Sequence, residues 1–239
     1  AELAIFEDNQ PIITMAVVVG SPQFPTPVIQ SRIVSVIFNP TWTIPNQIAR
    51  NEILPKLRRE PTYLRDNNIR ILGRPNDPYG EQIDWRHSKP LPAVQLQQLP
   101  GPKNALGRIK FDMPNQFSVY LHDTPTISAF KQMNRALSHG CVRLQRPEDV
   151  ARYVLRDRLA TDPDLIERTL ATNETITSTV NNPLPVVFVY WTAFVAENGL
   201  AHFRNDIYGR DKSVSDQPSM TDKLNDREPL PRAIGCPAG

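Results

Sequence analysis

The chain has 239 residues, with 27 Lys and Arg against 25 Asp and Glu and a formal net charge of +2. That balance excludes the concentrated basic face of a nucleic-acid binder, and no apolar run reaches the roughly 20 residues of a membrane-spanning helix. Two cysteines are too few for a disulfide framework, and 24 prolines spread along the chain predict many short elements joined by rigid loops.

Residues 3–6 and 12–19 are apolar runs separated by Glu7-Asp8-Asn9-Gln10-Pro11, which predicts a hairpin. Residues 20–27 form a loop, and the β-branched run 28–38 predicts a third strand. From about Asn46 to Leu99 the pattern changes. Ala49, Ile53 and Leu57 recur every four residues with Leu54 alongside, the stripe of an amphipathic helix. Pro55 kinks or divides it, and Pro61 opens a second short helix. Residues 69–72 suit a short strand, and 73–92, rich in Gly, Pro, Asn and Asp, an irregular loop. Residues 46–99 therefore read as an insert too short to bury much core by itself.

Residues 108–111 and 117–121 are two further strand candidates. Pro147 begins a helix with Glu148 and Asp149 at its positive end, and Asp162-Pro163-Asp164 begins another. Residues 175–180 and 186–195 predict strands, and Asn198-Gly199 a tight turn before 200–203. From about Ser213 the chain is a polar, proline-rich tail. The expected class is mainly β with an α insert (α+β), its short antiparallel strands arranged as a β-sandwich in one domain spanning 1–239.

The chemistry concentrates at Ser138-His139-Gly140-Cys141-Val142-Arg143. A neighbouring imidazole raises the thiolate fraction of a cysteine. Glycine before the sulfur permits a sharp turn that brings backbone amides near a developing oxyanion. His122 ends the alternating run Phe117, Val119, Leu121, which delivers Tyr120 and His122 to one face before Pro125 stops the strand. The eighteen residues between His122 and Cys141 exceed a helical turn, so the two meet only by tertiary folding. Zinc is the rival reading, from His122, His139, Cys141 and His202, but His139-x-Cys141 is poor spacing for a structural site. Cys236 reads as a free tail thiol in preference to a partner for Cys141. Arg143 has a planar fork suited to a carboxylate, an ordinary loop salt bridge being its other reading. Trp42 and Tyr120 are aromatic candidates for a cleft wall. Asn104 and His202 have no assigned role.

His122-Asp123-Thr124 followed by Ser138-His139-Gly140-Cys141-Val142-Arg143 resembles the signature of the L,D-transpeptidase (YkuD-type) family of peptidoglycan enzymes. Residues 38–45, Asn104-Ala105-Leu106-Gly107, Tyr190-Trp191-Thr192-Ala193 and 203–209 resemble its larger periplasmic subgroup, which carries an inserted capping segment. The resemblance implies a β-sandwich with Cys141 as nucleophile and His122 as base. The Asp123 carbonyl would orient that base, with Ser138, His139 and Gly140 around the oxyanion. It also implies stem tetrapeptides as donor and acceptor, 3→3 crosslinks as product, and carbapenem-type β-lactams as covalent inhibitors. No metal or other cofactor is implied. An L,D-carboxypeptidase, a wall–lipoprotein linker and a non-catalytic wall-binding module are the alternatives. The implied location is periplasmic, with an export signal or anchor, the sole membrane connection, upstream of Ala1.

Overall fold

The computed structural model describes residues 1–87, 94–195 and 199–211. Strands β1 (Glu2–Glu7) and β2 (Gln10–Gly20) form the expected hairpin with Ile5 opposite Ile13. Asp8 and Asn9 take positive φ values of 46° and 63°, the conformations that a two-residue turn matched to strand twist requires. Strand β3 (Ile29–Phe38) follows, then the short β4 (Trp42–Ile44).

The insert begins with continuous helical backbone in three parts: α1 (Asn46–Ile48), a π-helical turn (Ala49–Ile53) and α2 (Leu54–Arg59). Proline marks this division as expected, but the distortion lies upstream of it. Pro55 sits in the first turn of α2. Its missing N–H and the ring's demand on the carbonyl four residues back are met by widening the preceding turn. Helix α3 (Tyr63–Asp66) and strands β5 (Ile69–Ile71) and β6 (Leu96–Gln98) complete the insert. Leu-Gln-Gln carries no strand signal; β6 forms because it lies between β4 and β5 in a three-stranded sheet. Residues 88–93 of the expected irregular loop lie outside the described residues.

Strands β7 (Ile109–Asp112) and β8 (Leu121–His122) come next, then a 3-10 turn (Ile127–Lys131), β9 (Ala136–Ser138) and β10 (Val142–Leu144). The strand expected over 117–121 is largely absent. Asn115 accepts the amides of Phe117 and Val119 and donates to the Val119 carbonyl, while Ser118 takes φ 51°. That side-chain turn competes with the ladder until Leu121. Helices α4 (Pro147–Val154) and α6 (Leu165–Ala171) occur as expected, with α5 (Arg156–Leu159) between them. The two strands expected over 175–195 are instead the long β11 (Ile176–Phe188), irregular between Thr179 and Leu184, and a separate β12 (Ala193–Val195), which pairs with β13 (Ala201–Phe203). The expected tail, 213–239, lies outside the described residues.

The main sheet runs β1-β2-β10-β8-β7-β3-β11, with β9 also on β2. Its pairing is mixed: β8 and β10 are parallel, as are β2 and β9. The fold is therefore mixed α/β, mainly strands with some helices, rather than purely antiparallel. Phe38, Phe111, Leu121, Val142 and Leu144 from the sheet pack with Val150, Ala151, Ile166 and Leu170 from α4 and α6.

The insert has its own core, contrary to the expectation from its length. Ile44, Ile53, Leu57, Leu64, Ile69, Ile71, Trp85 and Leu96 are buried together, and partly buried Trp42 packs against both clusters. Leu64 is fully buried in this second core. Leu64→Ala is expected to cost about 2–5 kcal/mol locally. Because the two cores are separate, amide exchange should accelerate in α2, α3 and β5 while β2 and β3 keep the parent's protection. Uniform acceleration would show one cooperative unit.

Candidate active site

Strands β8 and β10 lie side by side in parallel, with Leu121 opposite Val142 and His122 opposite Arg143. Cys141 immediately precedes β10, so the pairing carries the sulfur residue to the strand that holds His122. The Val142 amide donates to the Tyr120 carbonyl at 3.0 Å and fixes this register. Cys141 and His122 are each only 3% exposed.

Three interactions set the turn before Cys141. Gly140 takes φ 112°, which disfavours any side chain. The Ser138 hydroxyl donates to the Cys141 carbonyl at 2.6 Å and accepts the Gly140 amide at 3.1 Å. The Thr26 hydroxyl donates to the Gly140 carbonyl at 2.9 Å. The Gly140 amide, an expected oxyanion donor, is thus engaged by Ser138. The sulfur of Cys141 is not a free thiol, as the sequence reading had it, but disulfide-bonded; the chain's other cysteine, Cys236, lies outside the described residues. A disulfide sulfur must be released by exchange with another thiol before it can act as a nucleophile.

His122 is held through Nδ1, which lies 2.5 Å from the Asp123 carbonyl. With Nδ1 protonated to donate that bond, Nε2 carries the lone pair. The Asp123 carboxylate is occupied elsewhere, accepting the amides of Arg108 at 2.8 Å and Thr124 at 2.6 Å. Gly107, at φ 64°, makes room for it: a Cβ there would lie 2.3 Å from the carboxylate. Burial, then the Arg143 charge, and at shorter weight Lys110, push the His122 pKa down to about 3, against the pull of the Asp123 and Leu106 carbonyls. The imidazole is therefore neutral near neutral pH and able to accept a proton.

His139 has partners of its own. Its Nε2 lies 2.9 Å from Glu52 of the π-helical turn, and its ring stacks on Phe24 at 4.7 Å. Sequence reasoning missed Glu52, one polar residue among many on a helix face. Arg143 is half-buried; burial lowers its pKa and Glu52 opposes that shift. Tyr120 is buried edge-on to His122, ring centroids 5.6 Å apart, and burial raises its pKa. Trp42 sits where the insert leaves the main sheet. Asn104 is fully buried and ties Pro40 to Leu99 across the insert's ends, through bonds of 2.9 and 3.0 Å.

His202 stacks on Phe194 in the β12–β13 hairpin. Among the described residues no group of three or more His, Cys, Asp or Glu side chains is placed to hold a metal ion, and no helix is long and apolar enough to cross a membrane.

The depressed His122 pKa makes stability depend on pH. Between about 3, the folded value, and roughly 6.5, the unfolded value, the unfolded chain binds a proton that the folded chain does not. The contribution is fully present above that window and declines as pH falls through it, by up to about 1.4 kcal/mol per pH unit. Denaturant titrations from pH 7 to 4 should show a steeper loss for the parent than for His122→Gln. Equal slopes would mean that the folded imidazole titrates normally.

The family model of the YkuD L,D-transpeptidase catalytic domain matches residues 1–177. A Haemophilus influenzae protein, provisionally named an L,D-transpeptidase, is 34% identical over 217 residues, 90% of this chain. The chain spans 43% of that relative's length. With the family model covering well over half of its residues, the chain belongs to the YkuD L,D-transpeptidase family.

Proposed function

We propose that the protein exchanges peptide bonds in peptidoglycan through a Cys141 acyl-enzyme, with His122 as the base, and forms 3→3 crosslinks. The observation that carries the reading is the neutral, backbone-anchored His122 on the strand beside Cys141. Once reduced, the thiol passes its proton to Nε2 as sulfur attacks the carbonyl of the donor's third residue. His122 then delivers that proton to the amine of the departing fourth residue, leaving a thioester. An acceptor amine attacks the thioester, its proton moves to His122, and the C–S bond breaks. The returning proton restores the thiol. One amide replaces another, so no external energy source is consumed. Burial disfavours a resting thiolate–imidazolium pair, so proton transfer accompanies attack. Because the substrate lies outside the cytoplasmic membrane, the reading carries an exported, periplasmic location.

Two further assignments belong to this reading. Arg143 and Tyr120 bind the donor, with Trp42 at the cleft wall. The insert 46–99 acts as a cap that excludes water. The Glu52–His139 pair supports the cap by joining the insert's helical turn to the residue two before Cys141. Water exclusion favours capture of the thioester by an amine over hydrolysis.

The test is intact mass and product analysis on stem tetrapeptides, with and without reductant. The reduced parent should form a thioester and crosslinks, and a carbapenem should add covalently to Cys141. Without reductant both should be suppressed. Cys141→Ala should abolish labelling, and His122→Ala should slow acylation by about 10²–10⁴-fold. Replacing residues 47–97 by a short Gly/Ser linker should raise the hydrolysis-to-crosslink ratio. Crosslinking by Cys141→Ala would overturn the nucleophile assignment, and an unchanged ratio would overturn the cap.

A further inference from the structure

Among the described residues, the buried side-chain nitrogens and oxygens without a hydrogen-bond partner are Trp42 Nε1, Tyr120 Oη and Arg143 Nε. Buried polar groups are ordinarily satisfied, so a concentration of exceptions calls for a missing ligand. All three can donate a hydrogen bond, so the missing ligand is an acceptor.

A further donor lies beside Tyr120. Lys110 is only 4% exposed, and a buried ammonium is rare without a paired anion. Lys110 lies opposite His122 across β7 and β8, and His122 lies opposite Arg143 across β8 and β10. Directly opposite residues share a sheet face. Lys110, His122 and Arg143 therefore form one cross-strand row, with cations on both sides of the imidazole. The Lys110 Nζ sits 4.4 Å from the centre of the Tyr120 ring. Asp112, two residues along the same strand, partly offsets its charge.

We propose that Lys110 and Tyr120 form a subsite for a carboxylate of the donor peptide, on the side of His122 away from Cys141. The inference rests on the function proposed above. The order of strands selects which carboxylate. The sulfur is delivered at β10, the base stands on β8 and the ammonium on β7. The scissile amide lies between sulfur and base, because one attacks its carbon and the other protonates its nitrogen. The residue beyond that nitrogen continues toward β7. Its α-carboxylate is two bonds from the nitrogen, within the span of one inter-strand spacing of about 4.8 Å. Lys110 thus holds the free terminus of the leaving residue. Arg143, on the strand of the thiol, is left for a carboxylate on the retained third residue.

The experiment compares kcat/KM for thioester formation by the reduced protein on three tetrapeptide donors. One has a free terminal carboxylate, one a terminal carboxamide, and one lysine as third residue, lacking the side-chain carboxylate. The parent should disfavour the carboxamide by about 10- to 100-fold, the usual weight of a hydrogen bond to a charged group. Lys110→Met should lose that factor on the carboxylate donor and treat the first two donors alike within about threefold. Lys110→Arg should keep the preference. The lysine donor should be affected equally in parent and Lys110→Met. A parent that does not distinguish carboxylate from carboxamide overturns the subsite without recourse to any variant. A Lys110→Met protein that keeps the preference overturns the role of Lys110. A penalty on the lysine donor that Lys110→Met removes overturns the assignment to the leaving residue. Alkylation of Cys141 by iodoacetamide without a thioester from any donor would mean instead that the proposed function has failed.

Discussion

The parallel pairing of β8 with β10 is the constraint on which this site depends. Each is two or three residues long, too short to persist alone. Flanked by β7 and β2, they are locked in the middle of a sheet. Parallel pairing requires a long crossover connection, and here that connection is residues 123–141, which contain the 3-10 turn, β9 and the glycine turn before Cys141. The connection is held at its end by Ser21, whose amide bonds the Ser138 carbonyl, and by Thr26. A loop that brings cysteine to histidine is thereby fixed by the sheet at one end and by the β2–β3 connection at the other. A slip of one residue in β10 would turn Arg143 into the core and Val142 toward the imidazole.

The electrostatics of the site follow from the same register. Two cations flank a buried imidazole, and the groups that hold it are neutral backbone carbonyls, Asp123 at 2.5 Å foremost. A carboxylate in that place would stabilise the imidazolium and retain the proton. A carbonyl fixes the tautomer with less cost to neutrality, which leaves the ring neutral, as the proposed base requires. The Asp123 side chain, one residue from the base, takes no part because two backbone amides already engage it. The flanking cations would be a liability in an empty, dry interior. They suit a site whose substrate carries carboxylates on both sides of the reacting bond.

Much of this was legible in the residues. The β1–β2 hairpin, β3 and the helices begun by Pro147 and near Asp164 followed from alternation and from helix-start chemistry, because local preference and burial agree there. The family's Ser-His-Gly-Cys motif was legible because its residues adjoin in sequence. Legibility failed where one side chain overrode a pattern. Asn115 captured backbone groups that alternation had assigned to a strand, and β6 exists only because two neighbours hold it. Lys110 and Glu52 were illegible for a different reason. Nothing in Ile-Lys-Phe or Arg-Asn-Glu-Ile sets those residues apart; their meaning comes from which residue lies opposite, and register is a tertiary fact.

The insert shows how a second core changes the physics of a site. A loop of its length would pay conformational entropy each time it ordered over a substrate. The insert avoids most of that loss by folding internally around Leu57, Leu64, Ile71 and Trp85. Three of the contacts that join it to the rest of the protein differ in kind. Trp42 packs on both cores, Asn104 ties the two ends of the insert together, and Glu52 meets His139. Of these, the packing and the buried amide are apolar or neutral and lie at the ends of the insert. The Glu52–His139 pair is partly solvated, so its contribution is modest. An anchored root with a weaker second contact is what the proposed cap requires. The π turn that presents Glu52 arises from Pro55, so one residue's missing amide sets the geometry of the contact at the cysteine loop.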